Sequence, residues 1–368
     1  MGYLDLIERP TLLLDRRKVL ANIERMAVRA EAAGVRLRPH FKTHQSAEIG
    51  AWFRDYGVAA ITVSSVDMAL GFAAAGWDDI TIAFPVNLRQ MAAINGLAER
   101  VRLGLLVESA ETVRRLDEQL TAEVSVWLKI DAGYGRTGIH WENEVALLET
   151  AAAVSEVNHL KLAGILTHSG QTYGAGSAEG VRRVFGESVA RMKRAQAVLR
   201  EQGFEAAVSM GDTPGCSLAD SFEGLDEIRP GNFVFYDLMQ QQMGACRLED
   251  IGVALACPVV ALHSERGRIV IYGGAVHFSK ELLPGPDGGL NFGRVVALNE
   301  NGWTPLGEEV RVASLSQEHG IIQADGDLLA SVKVGDVLGV LQIHSCLTAD
   351  LLRRYLTLEG GWIECINK

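Results

Sequence analysis

Residues 36–46, RLRPHFKTHQS, place Lys42 between His40 and His44, directly after a short apolar run. A lysine amine can form a Schiff base with a carbonyl compound, and cationic neighbours lower its pKa and so make it a better nucleophile and base. A lone lysine is more often solvated or ion-paired. This lysine, however, follows a predicted strand, where barrel enzymes place their reactive groups. We therefore predict that Lys42 is a covalent anchor.

The segment GDTPG, residues 211–215, follows another predicted strand and precedes a short helical pattern. Its backbone N–H groups and the Thr213 hydroxyl could bind a phosphate at a helix N-terminus. A plain turn capped by Asp212 explains this segment alone equally well. Neither a P-loop nor a dinucleotide-binding glycine motif occurs in the sequence. One phosphate, one strand-end lysine and a barrel together indicate pyridoxal phosphate, held on Lys42 as a Schiff base.

A third polar segment, QIHSCLTAD, separates His344 from Cys346 by one residue. On a predicted strand, both side chains would point to the same face and offer nitrogen and sulfur to an ion such as Zn²⁺. As a bare pattern, His-x-Cys is more often a buried histidine beside a buried cysteine. The segment SQEHG supplies Gln317 and His319 as candidate groups near the metal or the substrate, and His277 could approach the same site.

The elements that must position these groups follow from the apolar periodicity. Eight short β-rich runs alternate with helical patterns, which predicts a parallel (β/α)8 barrel, with an open doubly wound sheet as the alternative. The runs cover residues 34–39, 58–63, 79–84, 101–106, 124–130, 160–168, 205–211 and 227–235.

Polar residues collect where these runs end, which in a barrel is the catalytic face. They are Asp131, Tyr134 and Arg136 after the fifth run, His168 and Tyr173 after the sixth, Gly211, Asp212 and Thr213 after the seventh, and Tyr236 and Asp237 at the end of the eighth. Each group alone is typical of any surface loop, but their shared position predicts one site.

After about residue 245, short β runs separated by Gly, Pro, Asp and Asn predict an antiparallel β domain, which residues 11–15 could join. We place the barrel at residues 16–243 and the β domain, which carries the metal pair, at residues 244–368 together with 1–15.

Composition excludes several classes of function. The net charge of −11 and the absence of a basic run argue against nucleic-acid binding. No apolar run is long enough for a membrane span, and the first residues do not read as a secretory leader. Five scattered cysteines without Cys-x-x-Cys spacing indicate a reducing compartment, so we expect a cytoplasmic protein.

Seven motifs in order, RPHFKTH, DAGYGRTG, THSGQTYG, GDTPG, EIRPGNFVFYD, SQEHG and IHSC, resemble the fold type III pyridoxal-phosphate enzymes. The subgroup is that of metal-dependent D-serine dehydratases and D-threonine aldolases, related to alanine racemase, and the resemblance covers nearly the whole chain. It implies a cofactor-binding barrel followed by a β domain. It also implies an active site between the two that is often completed in a dimer, so we expect a homodimer.

The resemblance also implies roles for residues. Lys42 would be the Schiff-base lysine and Arg136 part of the cofactor-facing loop, while His344 and Cys346 would bind the metal, for which Zn²⁺, Mn²⁺ and Co²⁺ are all conceivable. The remaining cofactor-binding residues would be His40, His168, Tyr173, Gly211, Asp212, Thr213, Tyr236 and Asp237.

The reaction expected from the resemblance is β-elimination from a D-β-hydroxy amino acid, giving an oxo acid and ammonia. Dehydratase members carry His-x-Cys where aldolases typically show His-x-Asp, and the second catalytic tyrosine of racemases cannot be identified. The alternatives are retro-aldol cleavage to glycine and an aldehyde, and dehydration of D-threo-3-hydroxyaspartate. A non-catalytic pyridoxal-phosphate carrier and a barrel for another phosphate ligand also remain open.

Overall fold

The computed structural model describes residues 2–366, and its first sheet is a closed ring of eight parallel strands, with a ninth short strand, Ile139–His140, paired to the fifth. Each strand pairs with its neighbour in chain order, and the ring closes where His40 bridges Thr62. The strands are Arg36–Leu37, Ile61–Val63, Asp79–Pro85, Arg102–Val107, Val124–Asp131, Leu160–Thr167, Ala207–Met210 and Glu227–Ile228. The predicted barrel is confirmed, and each strand overlaps the corresponding apolar run.

Helices surround this ring because their apolar positions recur at three- and four-residue steps. Gly34 and Gly203, which follow helices Arg16–Ala32 and Ala178–Glu201, have the positive φ angles typical of C-cap glycines. The helices are Arg16–Ala32, Ala47–Trp52, Val66–Ala74, Met91–Ala98, Ala110–Asp117, Glu144–Ser155, Ala178–Glu201, Thr213–Leu218 and Leu238–Gln242.

The eighth strand is shorter than predicted. Residues 227–235 were expected to form one strand, but only Glu227–Ile228 does, and a 3-10 helix follows at Asn232–Val234. Pro230 has no N–H to continue the ladder. Gly231 lies close to the backbone of His40, so that a Cβ atom on residue 231 would be 2.8 Å from the His40 carbonyl oxygen. The chain therefore leaves the sheet and turns across the mouth of the barrel.

The second sheet has ten strands, all antiparallel except for one pairing between residues 11–14 and 354–357. Six of the strands close into a small barrel with its own apolar core. The strands are Thr11–Leu14, Val253–His263, Arg268–Tyr272, Gly293–Asn299, Gly302–Pro305, Arg311–Leu315, His319–Gln323, Val337–Gln342, Arg354–Thr357 and Trp362–Glu364.

Short helices interrupt this second region at Ala275–Phe278, Gly326–Ser331 and Ser345–Leu352. A two-stranded hairpin, Leu283–Pro284 with Leu290–Asn291, lies apart from the main sheet. Leu341, Ile343 and Tyr355 belong to the same apolar core as the first barrel, so the two regions share buried surface. Within residues 2–366, no helix has both the length and the apolar character needed to cross a membrane.

A buried ion-pair network ties the end of the first strand of the ring to the eighth and the third strands. Arg38, which is 4% exposed, donates from Nε to Glu227 Oε2 at 2.6 Å and from a terminal nitrogen to Asp79 Oδ1 at 2.6 Å. Burial alone would lower the pKa of Arg38, but the two carboxylates raise it. The guanidinium is therefore charged in the interior and depends on these partners.

Replacing Glu227 by alanine should lower the free energy of unfolding by about 3–5 kcal/mol, because it leaves a buried charge without compensation. Urea denaturation measures this loss. The matched control is Glu123→Ala, which removes an exposed ion pair with Lys161 and should cost less than about 1 kcal/mol. Equal losses in the two variants would contradict the assignment of Arg38 as a structural charge.

Candidate active site

A cavity of about 710 Å³ opens at the carboxyl ends of the barrel strands and reaches residues of the β domain. The structure brings ten of the predicted site residues to its lining. They are His40, Lys42, Arg136, His168, Tyr173, Gly211, Asp212, Thr213, His344 and Cys346.

Lys42 lies in a turn, residues 41–45, that follows the first strand. The side chain of the preceding Phe41 is fully buried against Phe53, Phe72 and Trp77, with ring centroids 4.9–5.2 Å apart. The backbone N–H of Lys42 donates to a ring nitrogen of His40 at 3.3 Å. An aromatic floor thus fixes the turn and leaves the lysine side chain free to enter the cavity.

Two histidines beside this lysine are held neutral. Burial and the nearby Lys42 and Arg229 charges lower the pKa of His40 well below its usual value. Burial, with Lys42 again contributing, lowers the pKa of His168 to about 3. The Nδ1 of His168 lies 3.0 Å from the Gly211 carbonyl oxygen, so a neutral ring must carry its proton there and leave Nε2 as an acceptor.

Two short helices begin at the same end of the cavity, at Thr213 and Asn232. Asp212 caps the first by accepting the Gly215 N–H at 2.6 Å, so the capped-turn interpretation of GDTPG holds. The Thr213 hydroxyl oxygen accepts the Phe233 N–H at 3.2 Å, which joins the two helix starts and leaves the hydroxyl proton to be donated. Such a pair of N-termini suits a phosphate.

The loop after the fifth strand holds Tyr134 and Arg136 at the mouth of the cavity, with the guanidinium 4.9 Å from the Tyr134 ring centroid. Asp131 accepts the backbone N–H groups of residues 133, 134 and 135 at 2.9–3.0 Å. From outside, Arg191 donates to the Ala132 carbonyl at 2.9 Å. The loop is therefore fixed by its own carboxylate and by a helix behind it.

Sequence reasoning assigned no role to two buried cations of the cavity. Lys129 is 6% exposed, and burial with the Arg229 and Arg136 charges lowers its pKa to about 8. Burial lowers the pKa of Arg229 to about 10, and its guanidinium donates to Ser209 Oγ at 2.7 Å. The signal that could have found Lys129 is a single charged residue inside an otherwise apolar strand, in VWLKI, and Arg229 directly follows the last strand, in EIRPG.

The predicted metal pair, His344 and Cys346, lies at a strand-to-helix junction, whereas the sequence had predicted a strand there. The strand ends at Gln342, His344 is the N-cap of helix Ser345–Leu352, and Cys346 lies in its first turn. Burial alone would lower the pKa of His344. The nearby Cys346 sulfur and Asp237 carboxylate outweigh burial and raise this pKa to about 11. Both side chains still line the cavity, because the turn presents them from one end of the helix.

The donor chemistry of this pair fits a borderline-soft divalent ion. Burial alone would raise the pKa of the Cys346 thiol, but the neighbouring His344 lowers it by more. The pKa is therefore lowered overall, which favours the thiolate. The buried Nδ1 of His344 makes no hydrogen bond but lies 3.5 Å from Asp237 Oδ2, a carboxylate placed to orient a ligating imidazole. Within residues 2–366, no group of three or more His, Cys, Asp or Glu side chains could hold a metal.

Of the residues assigned to the cofactor, the metal or the substrate, four do not line the cavity. Tyr236 turns away to hydrogen-bond Ser217 at 3.1 Å beside a second cavity, and Asp237 is buried behind His344. Gln317 and His319 are exposed on the β domain. His277 is also outside the cavity lining, where it pairs with Glu318 at 3.8 Å.

Acid should destabilise the fold through its neutral histidines. Burial lowers the pKa of the fully buried His44 to about 3, and the pKa of His168 is also about 3. The pKa of His40 is lowered well below its usual value. Since unfolded histidines titrate near 6.5, the unfolded chain binds more protons and stability falls as pH drops through 6. The raised pKa of Asp212, about 7 through burial, offsets one of the three.

Urea titrations between pH 6 and 5 should therefore report a net uptake of about two protons on unfolding. His44→Gln should reduce that uptake by about one proton, since it removes one group held neutral only in the folded chain. Stability that is flat with pH, or a slope unchanged by His44→Gln, would refute this explanation.

Comparisons with known proteins agree with this geometry. The chain is 29% identical to the D-threo-3-hydroxyaspartate dehydratase of Delftia sp. over 96% of this chain and 95% of that protein. It is 27% identical to the D-serine dehydratase of Dictyostelium discoideum, over 96% and 94%. The solved Delftia structure has a TM-score of 0.91 at 27% identity, covering 100% of this chain and 99% of that one. Two variants of it replace a histidine and, two positions later, a cysteine by alanine, the second in a metal-free form.

Family models cover both regions of the chain. Residues 252–358 match the serine dehydratase domain, and residues 14–238, more than half of the chain, match the alanine racemase N-terminal domain. The resemblance inferred from the seven motifs is thereby confirmed. The chain belongs to the alanine racemase N-terminal domain family, in the group that joins this barrel to a serine dehydratase domain.

Proposed function

We propose that this chain is a pyridoxal-phosphate- and metal-dependent lyase that eliminates water from D-β-hydroxy amino acids to give an oxo acid and ammonia. The observation that carries the proposal is the proximity of the two reactive centres. Thr43, the neighbour of Lys42, lies 3.2 Å through its hydroxyl from Cys346 Sγ. An amine on the barrel and a thiolate on the β domain therefore face one cavity.

The cavity suits pyridoxal phosphate. The helix starts at Thr213 and Asn232 would bind the phosphate, and Lys42 would hold the carbonyl carbon. When bound, the cofactor supplies an electron-withdrawing ring that stabilises negative charge at the substrate Cα. Arg136, Arg229 and Lys129 surround the cavity with positive charge, which favours the carboxylate of the substrate and the anionic cofactor.

Lys42 has the position to move a proton at the substrate Cα. Its side chain enters the cavity from the turn, and the lowered pKa values of the neighbouring His40 and His168 make both rings weak proton acceptors that do not compete with the amine. Holding the amine and the Cα–H bond together is worth several kcal/mol, because the reaction becomes intramolecular. Lys42 is thus the base of the proposed elimination.

His344 and Cys346 would hold a divalent metal, for which Zn²⁺ is our choice because one nitrogen and one thiolate suit it. The metal would supply Lewis acidity toward the β-hydroxyl, a poor leaving group in water. Only two protein donors leave coordination positions open to substrate and water. The paired histidine and cysteine variants of the Delftia enzyme, one of them metal-free, support this assignment.

The same surroundings would serve retro-aldol cleavage, in which Cα–Cβ breaks and glycine and an aldehyde form. Relatives of that kind exist, such as the 3-hydroxy-D-aspartate aldolase of Paracoccus denitrificans at 24% identity. We favour dehydration because the pair is His-x-Cys and because the dehydratases above match at higher identity over nearly full length.

A homodimer is part of the proposal. Helices Ala275–Phe278 and Ser345–Leu352 pack together next to the cavity, with Thr348 donating to the Phe278 carbonyl at 3.3 Å. Their outer faces expose Val276, Leu347 and Leu351 by 39–45%. Apolar side chains grouped beside an active site support an interface between copies. Sedimentation of the holoenzyme should give a mass twice that of one chain. A mass equal to one chain would contradict the proposed homodimer.

A substrate panel tests the proposed function. The holoenzyme with Zn²⁺ is incubated with D-serine, D-threonine and D-threo-3-hydroxyaspartate, and with L-serine as the stereochemical control. Oxo acid and ammonia from at least one D-substrate, with no product from L-serine, is the expected result. Glycine and an aldehyde in place of the oxo acid would establish the aldolase, and no product from any D-substrate would overturn the proposal.

A further inference from the structure

We propose that Tyr355 and the C-terminal residues 365 and 366 are positioning residues for Lys42: they fix the lysine turn from the β domain. This inference rests on the proposed function, since it concerns the lysine that we assign as anchor and base. It adds that the barrel does not hold its reactive amine alone. The turn is completed by residues more than 300 positions away in the chain.

Three donors from the β domain reach the carbonyl groups that end the lysine turn. The Tyr355 hydroxyl donates to the His44 carbonyl at 2.6 Å, and the Cys365 thiol donates to the same oxygen at 3.5 Å. The Ile366 N–H donates to the Gln45 carbonyl at 2.6 Å. Both carbonyls belong to buried residues, so without these donors each would be left unpaired at a cost.

The donors are themselves held rigidly. Tyr355 is fully buried in strand Arg354–Thr357, with its ring centroid 5.5 Å from that of Phe235. The Arg353 guanidinium donates to the Ile366 carbonyl. The Ile366 side chain lies so close to Gly71 that a Cβ there would be 2.8 Å from its Cδ1. The C-terminal segment is thus fixed on both its polar and its apolar side.

The turn needs such support. Gln45 has a φ of +48°, a left-handed conformation that costs a non-glycine residue of order 1 kcal/mol or more. Its own N–H bonds back to the Phe41 carbonyl at 3.0 Å, so Lys42 lies inside the loop that this bond closes. A relaxation at Gln45 is therefore transmitted directly to the Lys42 backbone. Displacements near 1 Å in a reactive group cost about 100-fold in rate.

Tyr355→Phe tests the inference, with Tyr3→Phe as the matched control. Each substitution removes one buried hydroxyl that donates to a backbone carbonyl, to His44 in the first case and to Asn299 at 2.7 Å in the second. Only Tyr355 touches the lysine turn. We expect kcat to fall about tenfold in Tyr355→Phe with KM nearly unchanged, and both to stay within about twofold in Tyr3→Phe.

Amide hydrogen exchange of the cofactor-free protein gives a readout that needs no activity. A peptide covering residues 41–46 should exchange about tenfold faster in Tyr355→Phe and at the wild-type rate in Tyr3→Phe. Ile366→Pro, which removes the N–H donor to the Gln45 carbonyl, should behave like Tyr355→Phe.

The two proposals fail differently. A wild-type protein that neither binds the cofactor at Lys42 nor turns over a D-substrate overturns the proposed function, whatever the variants do. A working wild type in which Tyr355→Phe equals Tyr3→Phe, in both kcat and exchange of residues 41–46, overturns the positioning inference alone.

Discussion

Lys42→Ala should reduce turnover by at least roughly 1000-fold, because one substitution removes both the covalent anchor and the base at the substrate Cα. The variant should fold normally, since the Lys42 side chain is exposed in the cavity and the aromatic floor beneath Phe41 is untouched. Steady-state oxo-acid production measures the loss. The absorbance of the lysine-bound cofactor should disappear with it, while phosphate-dependent cofactor binding persists more weakly.

Lys42→Arg is the matched control for charge. It keeps a cation in the cavity, but a guanidinium neither anchors the cofactor nor gives up its proton. We therefore expect it to be as inactive as Lys42→Ala. Substantial activity in either variant would show that another amine, such as that of Lys129 in the cavity lining, performs the chemistry.

Cys346→Ala and His344→Ala should each abolish turnover to a similar degree, because the β-hydroxyl then departs without a Lewis acid. Bound zinc, measured by atomic emission after desalting, should drop from about one per chain to near zero. The absorbance of the lysine-bound cofactor should be unchanged, since neither side chain is the anchor. That combination separates loss of the metal from loss of the fold.

Cys257→Ala is the control for the cysteine variant. Cys257 is a buried cysteine in the core of the small barrel and does not line the cavity. Its substitution should lower stability slightly and leave both zinc content and turnover intact. If Cys346→Ala retained zinc and turnover like Cys257→Ala, the metal pair would be refuted.

Much of the fold was predictable because parallel strands buried on both faces read as continuous apolar runs. VRLGLL and VSVWLKI became strands for that reason, and their ends delivered Arg136 and its neighbours to one cavity. The position of Lys42 in the cavity could be predicted because it follows the end of a strand. The occurrence of the seven motifs in this order then indicated the family that the comparisons support.

Other features could not be read locally. The end of the last barrel strand depends on how closely Gly231 approaches His40, which is a long-range contact. The helix Ser345–Leu352 begins in a stretch that is apolar enough to be predicted as a strand. His344 was therefore wrongly predicted to lie on a strand. Contacts such as that of Tyr355 with His44 join residues with no shared pattern, and only the packed structure reveals them.

The central claim is that an amine from the barrel and a metal from the β domain act on one substrate, and metal add-back tests it most directly. The holoenzyme is stripped with a chelator, given D-serine or D-threo-3-hydroxyaspartate, and assayed before and after one equivalent of Zn²⁺. We predict no oxo acid before addition and equal amounts of oxo acid and ammonia afterwards, with the cofactor absorbance constant throughout. Equal turnover with and without metal would contradict the claim.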